Sequence, residues 1–372
     1  MVLRRKGKMI INIIVPGIGL SGGMRVLFQY GEMLKAKGHD IIFYTPLKAY
    51  DVQNNKSIIL NKMHVVTNTI KRIYGYEIKK KYKKTQFDVK VLPVPVVSDR
   101  YIRNADICMA SAWPTAFSVA RLSPNKGKKV YFIQDYEIWN NEELGRKSYT
   151  QPLRHIVIST WIKNKLIEQL GAEDAPIVFD GLDLEVFNNP EKKYEFGNRT
   201  IEVLMLYHNL PKKGVKDGLI AYKNLKDRYP NVKLTMFGLT DRPDISDEIV
   251  YYKDPSREEL KGLYKKADIF LYTSREEGWG LTPLEAMASK CAVVGTNTGC
   301  MLDIGSDREN ALLCEPGDVR KMTENLCELF ENHEMLIKLA ENGYKTVQQF
   351  SWNNSVNQLE RELRNICDED KD

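Results

Sequence analysis

Residues 274–294 read SREEGWGLTPLEAMASKCAVV, and this stretch decides how the chain is organised. Residues 267–273, which precede it, form a short apolar run rich in strand-forming residues, and residues 284–289 read as the first turns of a helix. We therefore expect a strand, a glycine loop and a helix in that order. Pro283 suits a first helical turn because it has no N–H to lose, and the glycines let the backbone approach a ligand closely.

A loop of this kind directs free backbone amides outward at the start of a helix, and these amides attract a phosphate or diphosphate. Glu285, expected in the first turn of the helix, would repel a phosphate. A carboxylate beside a diphosphate site instead accepts hydrogen bonds from ribose hydroxyls. The alternative is an ordinary strand–helix connection, in which Glu285 only complements the helix dipole.

Residues 277–288 read EGWGLTPLEAMA. This segment resembles the nucleotide-sugar site of the retaining glycosyltransferases of family 4, which carries E-G-[FY]-G-L-x-x-L-E-A-M-A followed by a strand. The resemblance implies an α/β protein of the GT-B fold, with two Rossmann-like α/β/α domains whose parallel sheets face a central cleft. It also implies sugar transfer from a nucleotide-diphosphate-sugar donor to a hydroxyl, with retention of configuration.

The bulk properties suit a two-domain enzyme. A length of 372 residues suggests two domains, and a hydrophobic content of 43% is that of a globular protein. The net charge of +6 is too small to indicate nucleic-acid binding by itself. Residues 9–15 are apolar but include Asn12 and end at Pro16, which favours a buried strand over a signal peptide and predicts a cytoplasmic protein.

The metal-binding residue types show no ligand spacing. The six cysteines include no CxxC pair, and the five histidines include no HxxxH or HxH. The Asp-x-Asp arrangement Asp368-Glu369-Asp370 lies in the acidic tail. We therefore predict no cofactor and no metal, with the nucleotide-diphosphate sugar as donor substrate.

A basic stretch interrupts the first half. Residues Lys71-Lys84 read KRIYGYEIKKKYKK, with tyrosines among the cations and Glu77 as the one acidic residue. The stretch could contact an anionic membrane, which would place the protein at the inner face of the membrane. It could equally be a solvated loop or helix face.

The first half otherwise alternates strands and helices. Strands are predicted at residues 9–15 and 41–45, with a glycine-rich loop and a helix at residues 24–37 between them. In the resembled family an equivalent of the pair Gly22-Gly23 lies near the sugar phosphates and the acceptor. Residues 46–100 are the least readable, with one proline-spaced strand predicted at residues 89–97.

Residues 134–139, QDYEIW, directly follow a strand predicted at residues 129–133. Polar residues past the carboxyl end of a strand commonly contact ligands in such folds. The resemblance places Asp135 on the acceptor side, where it would orient the acceptor hydroxyl; alternatively, Asp135 caps the following turn. The amino-acid sequence of this segment is most similar to that of the rhamnosyltransferase branch of the family.

The junction between the halves is predicted near residues 180–187, which resemble the family element N-G-V-D-x-x-x-F. The expected domains are residues 1–180 on the acceptor side, residues 181–350 binding the nucleotide sugar, and residues 351–372 as a helix returning to the first domain plus an acidic tail.

A second α/β series begins with a strand predicted at residues 201–207 and leads to Lys213 before Gly214. Lys213 matches the lysine of the family motif Arg-x-x-x-x-Lys-Gly, where it binds the diphosphate; a lone lysine at a helix start is otherwise unremarkable. His208 stands in the place of the arginine. A histidine carries less permanent positive charge, so the sequence predicts either compensation by Lys212 or a weaker hold on the diphosphate.

The resulting hypothesis assigns catalysis to stabilisation of the leaving diphosphate. Glu277 would contact the donor sugar, and Glu285 the ribose. The groups predicted to hold the diphosphate are Gly22, Gly23, His208, Lys213, Gly280, Leu281 and Thr282. The acceptor is expected to be a glycan or lipid-linked glycan. Two alternatives stay open: an epimerase or phosphorylase of the same fold, and a non-catalytic nucleotide-sugar binder.

Overall fold

The computed structural model describes residues 7–19, 22–53, 57–80, 86–171, 175–196 and 200–368. The chain divides into two compact units. The first unit contains Met1–Ile158, Ile162–Val178 and Val356–Asp372, and the second contains Ser159–Trp161 and Phe179–Ser355.

The first unit is built on a six-stranded parallel sheet. Its strands are β1 (Ile10–Ile14), β2 (Asp40–Pro46), β3 (Lys90–Val94), β4 (Ile107–Ala110), β5 (Lys128–Ile133) and β6 (Arg154–Val157). The strand order is β3-β2-β1-β4-β5-β6, with Ile11 opposite both Ile41 and Ile107. The central strand β1 is an almost unbroken apolar run because helices cover both faces of a parallel sheet.

The helices of the first unit connect these strands. They are α1 (Gly22–Ala36), α2 (Ile58–Ile73), α3 (Trp113–Ala120), α4 (Glu142–Ser148) and α5 (Thr160–Leu170), the last joining this unit at Ile162. A short π-helical segment, Tyr74–Ile78, continues α2. The sequence analysis missed α2, and the strand predicted at residues 89–97 is limited to β3. Of the predicted basic stretch, residues 81–84 lie outside the described residues.

The second unit repeats the same topology. Its strands are β7 (Ile201–Leu206), β8 (Val232–Gly238), β9 (Val250–Lys253), β10 (Ile269–Tyr272), β11 (Ala292–Thr296) and β12 (Leu312–Cys314). They are parallel and lie in the order β12-β11-β10-β7-β8-β9, so β7 and β10 here occupy the places of β1 and β4. Two six-stranded parallel sheets with this Rossmann order confirm the predicted fold class.

The remaining helices are α6 (Val215–Arg228), α7 (Arg257–Lys266), α8 (Leu281–Ala288), α9 (Met301–Ile304), α10 (Val319–Glu331), α11 (His333–Val347) and α12 (Trp352–Asp368). Helix α7 begins with a reciprocal cap: Ser256 Oγ accepts from the amide of Glu259, and Glu259 Oε2 accepts from the amide of Ser256 at 2.8 Å.

The last helix joins the first unit from Val356 onward. Within that unit, Glu360 pairs with Lys37 at 2.9 Å, and Arg364 Nη1 donates to the carbonyl of Gly7 at 3.0 Å. Across the described ranges, no helix is both long enough and apolar enough to span a lipid bilayer.

Candidate active site

The candidate site lies at the carboxyl edge of the second sheet. Strands β7 and β10 are parallel neighbours, with Met205 opposite Leu271. Their carboxyl ends therefore meet, and the loop after β7, residues 207–214, runs beside the loop after β10, residues 273–280. Ligands of open α/β sheets bind at such an edge, where the chain leaves adjacent strands in opposite directions.

Backbone contacts hold the two loops together. The amide of Arg275 donates to the carbonyl of Lys212 at 2.7 Å, and Thr273 Oγ1 donates to the carbonyl of Lys213 at 2.7 Å. Gly214 has φ +62°, and a Cβ atom there would lie 1.9 Å from the carbonyl oxygen of Thr273. Glycine is therefore required at this position, both for the left-handed backbone and for the close approach.

Three polar side chains converge between the loops. Lys213 Nζ forms an ion pair with Glu277 Oε2, and Ser274 Oγ donates to the same oxygen at 3.1 Å. The side chains of Lys213 and Glu277 are 16% and 15% exposed, so the pair is largely shielded from water. Thr282 lines a small cavity together with Lys213 and Ser274. The structure thus brings together Lys213, Glu277 and Thr282, which the sequence predicted, and adds Ser274.

His208 lies in the same electrostatic environment. Burial lowers the pKa of His208 from its ordinary value, and the nearby charge of Lys213 lowers it further. Its Nδ1 accepts a hydrogen bond from the amide of Leu210 at 3.1 Å. The ring is therefore neutral at pH 7, with its proton on Nε2, and it offers one hydrogen bond but no fixed charge.

Helix α8 begins three residues earlier than expected. Gly280 caps it with φ +88°, and a Cβ there would lie 3.0 Å from Glu277 Cγ and 3.1 Å from Tyr272 Oη. The amides of Leu281 and Thr282 therefore occupy the first turn. Glu285 is the fifth helical residue, so its predicted place in the first turn was wrong, and dipole complementarity no longer accounts for it.

A buried tyrosine holds Glu285. Tyr264 of α7 is fully buried, and its hydroxyl donates to Glu285 Oε2 at 2.7 Å. Burial raises the pKa of Glu285 to about 7, while the hydrogen bond from Tyr264 opposes that rise. Tyr264 was not predicted from the sequence because the contact joins side chains of two successive helices, and local pattern does not show which of their faces meet.

Three further contacts stiffen the loop after β10. The amide of Cys300 donates to the carbonyl of Trp279 at 2.6 Å, and the Trp279 ring packs on Phe179 with centroids 5.1 Å apart. Trp279 is therefore a core residue. Arg275 makes two hydrogen bonds, at 2.7 and 2.8 Å, to the buried carboxylate of Asp217 in the first turn of α6. Sequence analysis singled out none of these contacts.

The first unit holds the remaining predicted residues. Gly22 and Gly23 are the first residues of α1, and a Cβ at Gly23 would lie 3.6 Å from the side chain of Gln134. Asp135 Oδ1 accepts from the amide of the next residue, Tyr136, at 2.9 Å.

Glu137, two residues further, is a half-buried carboxylate that the sequence did not single out. It accepts from the amide of Trp113 at 2.8 Å, and burial raises its pKa to about 8. At neutral pH this carboxyl group therefore holds a proton to a large extent, and it anchors the start of α3.

In the part of the chain that the structure describes, no three His, Cys, Asp or Glu side chains cluster in a way that could hold a metal ion. Positive charge near the candidate phosphate site is supplied by Lys213 and by the helix start.

Residues 187–346 match the family described as glycosyl transferases group 1. The second unit therefore carries a group 1 glycosyltransferase domain. An uncharacterized glycosyltransferase of Methanocaldococcus jannaschii is 28% identical over 258 residues, which cover 68% of this chain and 67% of that protein. A capsular polysaccharide biosynthesis glycosyltransferase of Staphylococcus aureus is 23% identical over 210 residues, covering 54% of this chain and 55% of the relative.

Solved glycosyltransferase structures share the whole fold. Sucrose-phosphate synthase from Thermosynechococcus elongatus superposes with a TM-score of 0.70 at 16% identity, covering 96% of this chain and 99% of the other. HepE from Anabaena, solved in complex with UDP-glucose, gives 0.70 at 14% identity over 96% of this chain and 100% of its own. These similarities show that the group 1 glycosyltransferase domain belongs to a chain of the GT-B fold.

Proposed function

We propose that this protein is a metal-independent, retaining hexosyltransferase of family 4. It transfers a sugar from a nucleotide-diphosphate sugar to a hydroxyl of a glycan or lipid-linked acceptor, in the synthesis of cell-surface polysaccharide or glycoconjugate. The bond between the anomeric carbon and the diphosphate oxygen breaks with its electron pair left on the diphosphate. The acceptor oxygen forms the new bond to the anomeric carbon, and its proton passes to the departing diphosphate oxygen.

The observation that carries this proposal is the convergence of Lys213, Glu277 and the start of α8 between the loops after β7 and β10. A transferase of this kind must stabilise the negative charge that develops on the departing diphosphate. A lysine and the free amides of a helix start are aimed at such a charge without a metal ion. Lys213 is paired with Glu277, so an arriving diphosphate competes for its ammonium group.

Each predicted residue then has a role. Lys213, the Nε2–H of His208 and the amides of Gly280, Leu281 and Thr282 bind the diphosphate. Glu277, released from Lys213, faces the donor sugar and stabilises its cationic character, and Glu285 accepts from the ribose hydroxyls. In the first unit, Gly22 and Gly23 contribute backbone to the sugar phosphates, and Asp135 orients the acceptor hydroxyl.

The relatives support the donor and acceptor classes. HepE binds UDP-glucose on the same fold, and the Staphylococcus aureus relative acts in capsular polysaccharide biosynthesis. A uridine diphosphate sugar is therefore the first donor to test, and a growing surface glycan the first acceptor.

The decisive experiment is a thermal-shift screen against UDP, GDP, ADP and dTDP. A ligand that binds only the folded protein raises its melting temperature, and a concentration of 100 Kd contributes about 2.7 kcal/mol. We expect one diphosphate to stabilise the wild type and the control Lys216→Ala, but to stabilise Lys213→Ala much less. No shift with any nucleotide, or equal shifts in all three proteins, would reject the donor site.

Assays of the transfer reaction test the proposed stereochemistry, metal independence and reaction type. With the donor identified, NMR of the product's anomeric proton shows whether configuration is retained, and an inverted product would contradict the proposal. Transfer that stops in EDTA and returns with Mg²⁺ would contradict metal independence. Donor breakdown that requires phosphate, or epimerised donor without transfer, would favour the epimerase or phosphorylase alternative.

We also propose that the enzyme contacts an anionic membrane through α2 and the basic residues that follow it. Five large apolar side chains recur on one face of α2 at spacings of four and three residues, and all are exposed: Ile59, Met63, Val66, Ile70 and Ile73. Residues 57–80 contain five basic residues and one acidic residue. An anionic lipid surface would cover the apolar face of α2 and neutralise the basic residues. A second copy of this chain would instead bring like charges together.

Vesicle flotation tests the contact. The wild type is expected to float with vesicles of phosphatidylglycerol and phosphatidylcholine, and less with phosphatidylcholine alone. Met63→Ser/Ile70→Ser should reduce flotation at least about fivefold, since each loses roughly 1.5–3 kcal/mol of apolar burial. The control Lys216→Ser, on the exposed face of α6, should float like the wild type. Equal flotation of all three proteins would exclude α2 as the contact.

A further inference from the structure

A second cavity lies within the first unit, at the carboxyl edge of its sheet. It has a volume of about 390 Å³, in the range of small-molecule sites, and its lining includes Ile18, Tyr50, Lys71, Arg72, Tyr76 and Trp139. Ile18 follows β1, Tyr50 follows β2 and Trp139 follows β5, while the other three belong to α2 and its π-helical continuation. The cavity therefore occupies the sheet edge at which ligands bind in this class of fold.

The described residues that line this cavity carry positive charge and include no carboxylate. Arg72 Nη1 donates to the carbonyl of Pro46 at 3.0 Å, and among the side chains that the structure describes no carboxylate forms an ion pair with Arg72. Burial lowers the pKa of Arg72, yet a guanidinium stays protonated at neutral pH. A partly buried charge without a counter-ion is costly, and an anionic group that binds it removes that cost.

The neighbouring groups suit a phosphate on a sugar. Tyr76 Oη accepts from the amide of Ile18 at 2.8 Å, which leaves its own O–H to donate. Lys71 adds a second cation at the cavity wall. The ring of Trp139 is 41% exposed and rests on Trp113, with centroids 5.5 Å apart, so it offers an aromatic face on which a sugar ring can pack.

An adjoining cavity extends the site and has apolar side chains in its wall. It has a volume of about 660 Å³, shares Ala49 and Tyr50 with the first, and is walled by valines of α2 and of the segment after β3: Val65, Val66, Val96 and Val97. An alkyl chain would bury apolar area there beside the cationic cavity.

We infer that the cavity around Arg72 binds a phosphate group carried by the acceptor, so that the acceptor is an anionic glycan phosphate or a phosphate-linked lipid rather than a neutral sugar. This inference rests on the proposed function, because it names the substrate class of the acceptor side. Arg72 and Lys71 hold the phosphate, Tyr76 donates to it, and Trp139 packs on the attached sugar.

Ligand-observed NMR titration of the full chain tests the site with three probes: glucose 1-phosphate, methyl glucoside and decyl phosphate below its micellar concentration. We expect both phosphates to bind and methyl glucoside to bind at least about tenfold more weakly. Arg72→Gln should weaken phosphate binding about tenfold or more, as loss of a charge-assisted hydrogen bond predicts. The control Arg100→Gln, an exposed arginine of the same unit, should remain within twofold of the wild type.

The probes also distinguish the source of the phosphate. Tighter binding of decyl phosphate than of glucose 1-phosphate, lost in Val66→Asp, would assign the lipid; the reverse order would assign the soluble glycan phosphate. Should Arg72→Gln fail to fold, Lys71→Gln tests the same site from an exposed position. Phosphate binding that persists in Arg72→Gln and Lys71→Gln, or that is lost only in Lys213→Ala, would overturn the inference.

The nucleotide screen keeps this inference separate from the proposed function. If a nucleotide raises the melting temperature of the wild type but not of Lys213→Ala, and Arg72→Gln leaves phosphate binding unchanged, the acceptor site alone is rejected. The opposite result would keep the cationic cavity and reject the donor site.

Discussion

The connection between β2 and β3 differs sharply from its counterpart between β8 and β9, although the two pairs of strands hold equivalent places in their sheets. Residues 239–249 link β8 to β9 without a helix, whereas residues 47–89 link β2 to β3 and contain α2. The sheet therefore does not need α2. Its apolar face, with Ile59 71% and Ile70 62% exposed, is left uncovered by the residues that the structure describes.

The carboxyl edges of the two sheets differ in the same way. In the second unit the cations are paired: Lys213 with Glu277, and Arg275 with Asp217. In the first unit, Arg72 faces a cavity without a described carboxylate partner. Equal topology thus carries two different charge arrangements. The charges of the proposed donor site are balanced within the protein, whereas the surface around Arg72 has charge and apolar area that a ligand could cover.

The sharpest test of this contrast is Lys213→Ala. Removal of the cation beside the departing diphosphate should lower kcat/KM by about 10²–10³-fold, the loss typical of a group that stabilises transition-state charge. Initial-rate assays with the identified donor measure it, with Lys216→Ala as the matched control. A loss below about tenfold would mean that the paired lysine is structural.

Stability should separate α2 from its buried counterparts. Leu225 of α6 is fully buried, and Leu225→Ala should lower the free energy of unfolding by about 2–5 kcal/mol through lost burial and a cavity. Ile70→Ala should change it by less than about 0.5 kcal/mol, since the side chain is already in water. Urea unfolding followed by circular dichroism compares the two. Comparable losses would show that another surface covers α2 in solution.

The smallest expected effect concerns the pH dependence of donor binding. With the pKa of Glu285 at about 7, the ionised carboxylate that accepts from ribose is lost as the pH falls through 7, so the donor KM should rise below that pH. Tyr264→Phe removes a hydrogen bond that lowers the pKa of Glu285. The rise in donor KM should therefore begin at a higher pH than in the wild type, and the KM at pH 7 should be about fivefold higher.

The matched control for the pH dependence of donor KM is Glu285→Gln. Its side chain cannot ionise, so the rise in KM below pH 7 should be absent. A profile in Tyr264→Phe that matches the wild type would show that Tyr264 only packs against α8 and does not position the carboxylate.

Much of the architecture could be predicted from sequence because its signals are local. Short apolar runs such as residues 269–272 favour strands covered on both faces, and their alternation with amphipathic segments implies parallel sheets. The glycine loop before α8 was likewise predicted, since Gly280 must adopt a positive φ and Pro283 must lie near a helix start.

The errors have local causes too. Helix α2 was missed because its apolar residues face solvent, so the surrounding polar and basic residues made the segment look like an insertion. The start of α8 was placed three residues late, which misassigned Glu285 to the first turn. A shift of three residues is almost one full turn, so it moves the side chain about 4.5 Å along the helix axis and past the first turn, where its neighbours differ.

By itself, the sequence determined two α/β series, a glycine loop suited to a diphosphate, and Lys213, Glu277 and Glu285 as its companions. Only the tertiary structure decided that β7 lies beside β10, and so that Lys213 meets Glu277, that Ser274 joins them, and that Tyr264 holds Glu285. The reason is that local pattern specifies which segments become strands and helices. Which strand ends become neighbours depends on packing across the whole sheet, and the charge pairs of the site form only after that choice.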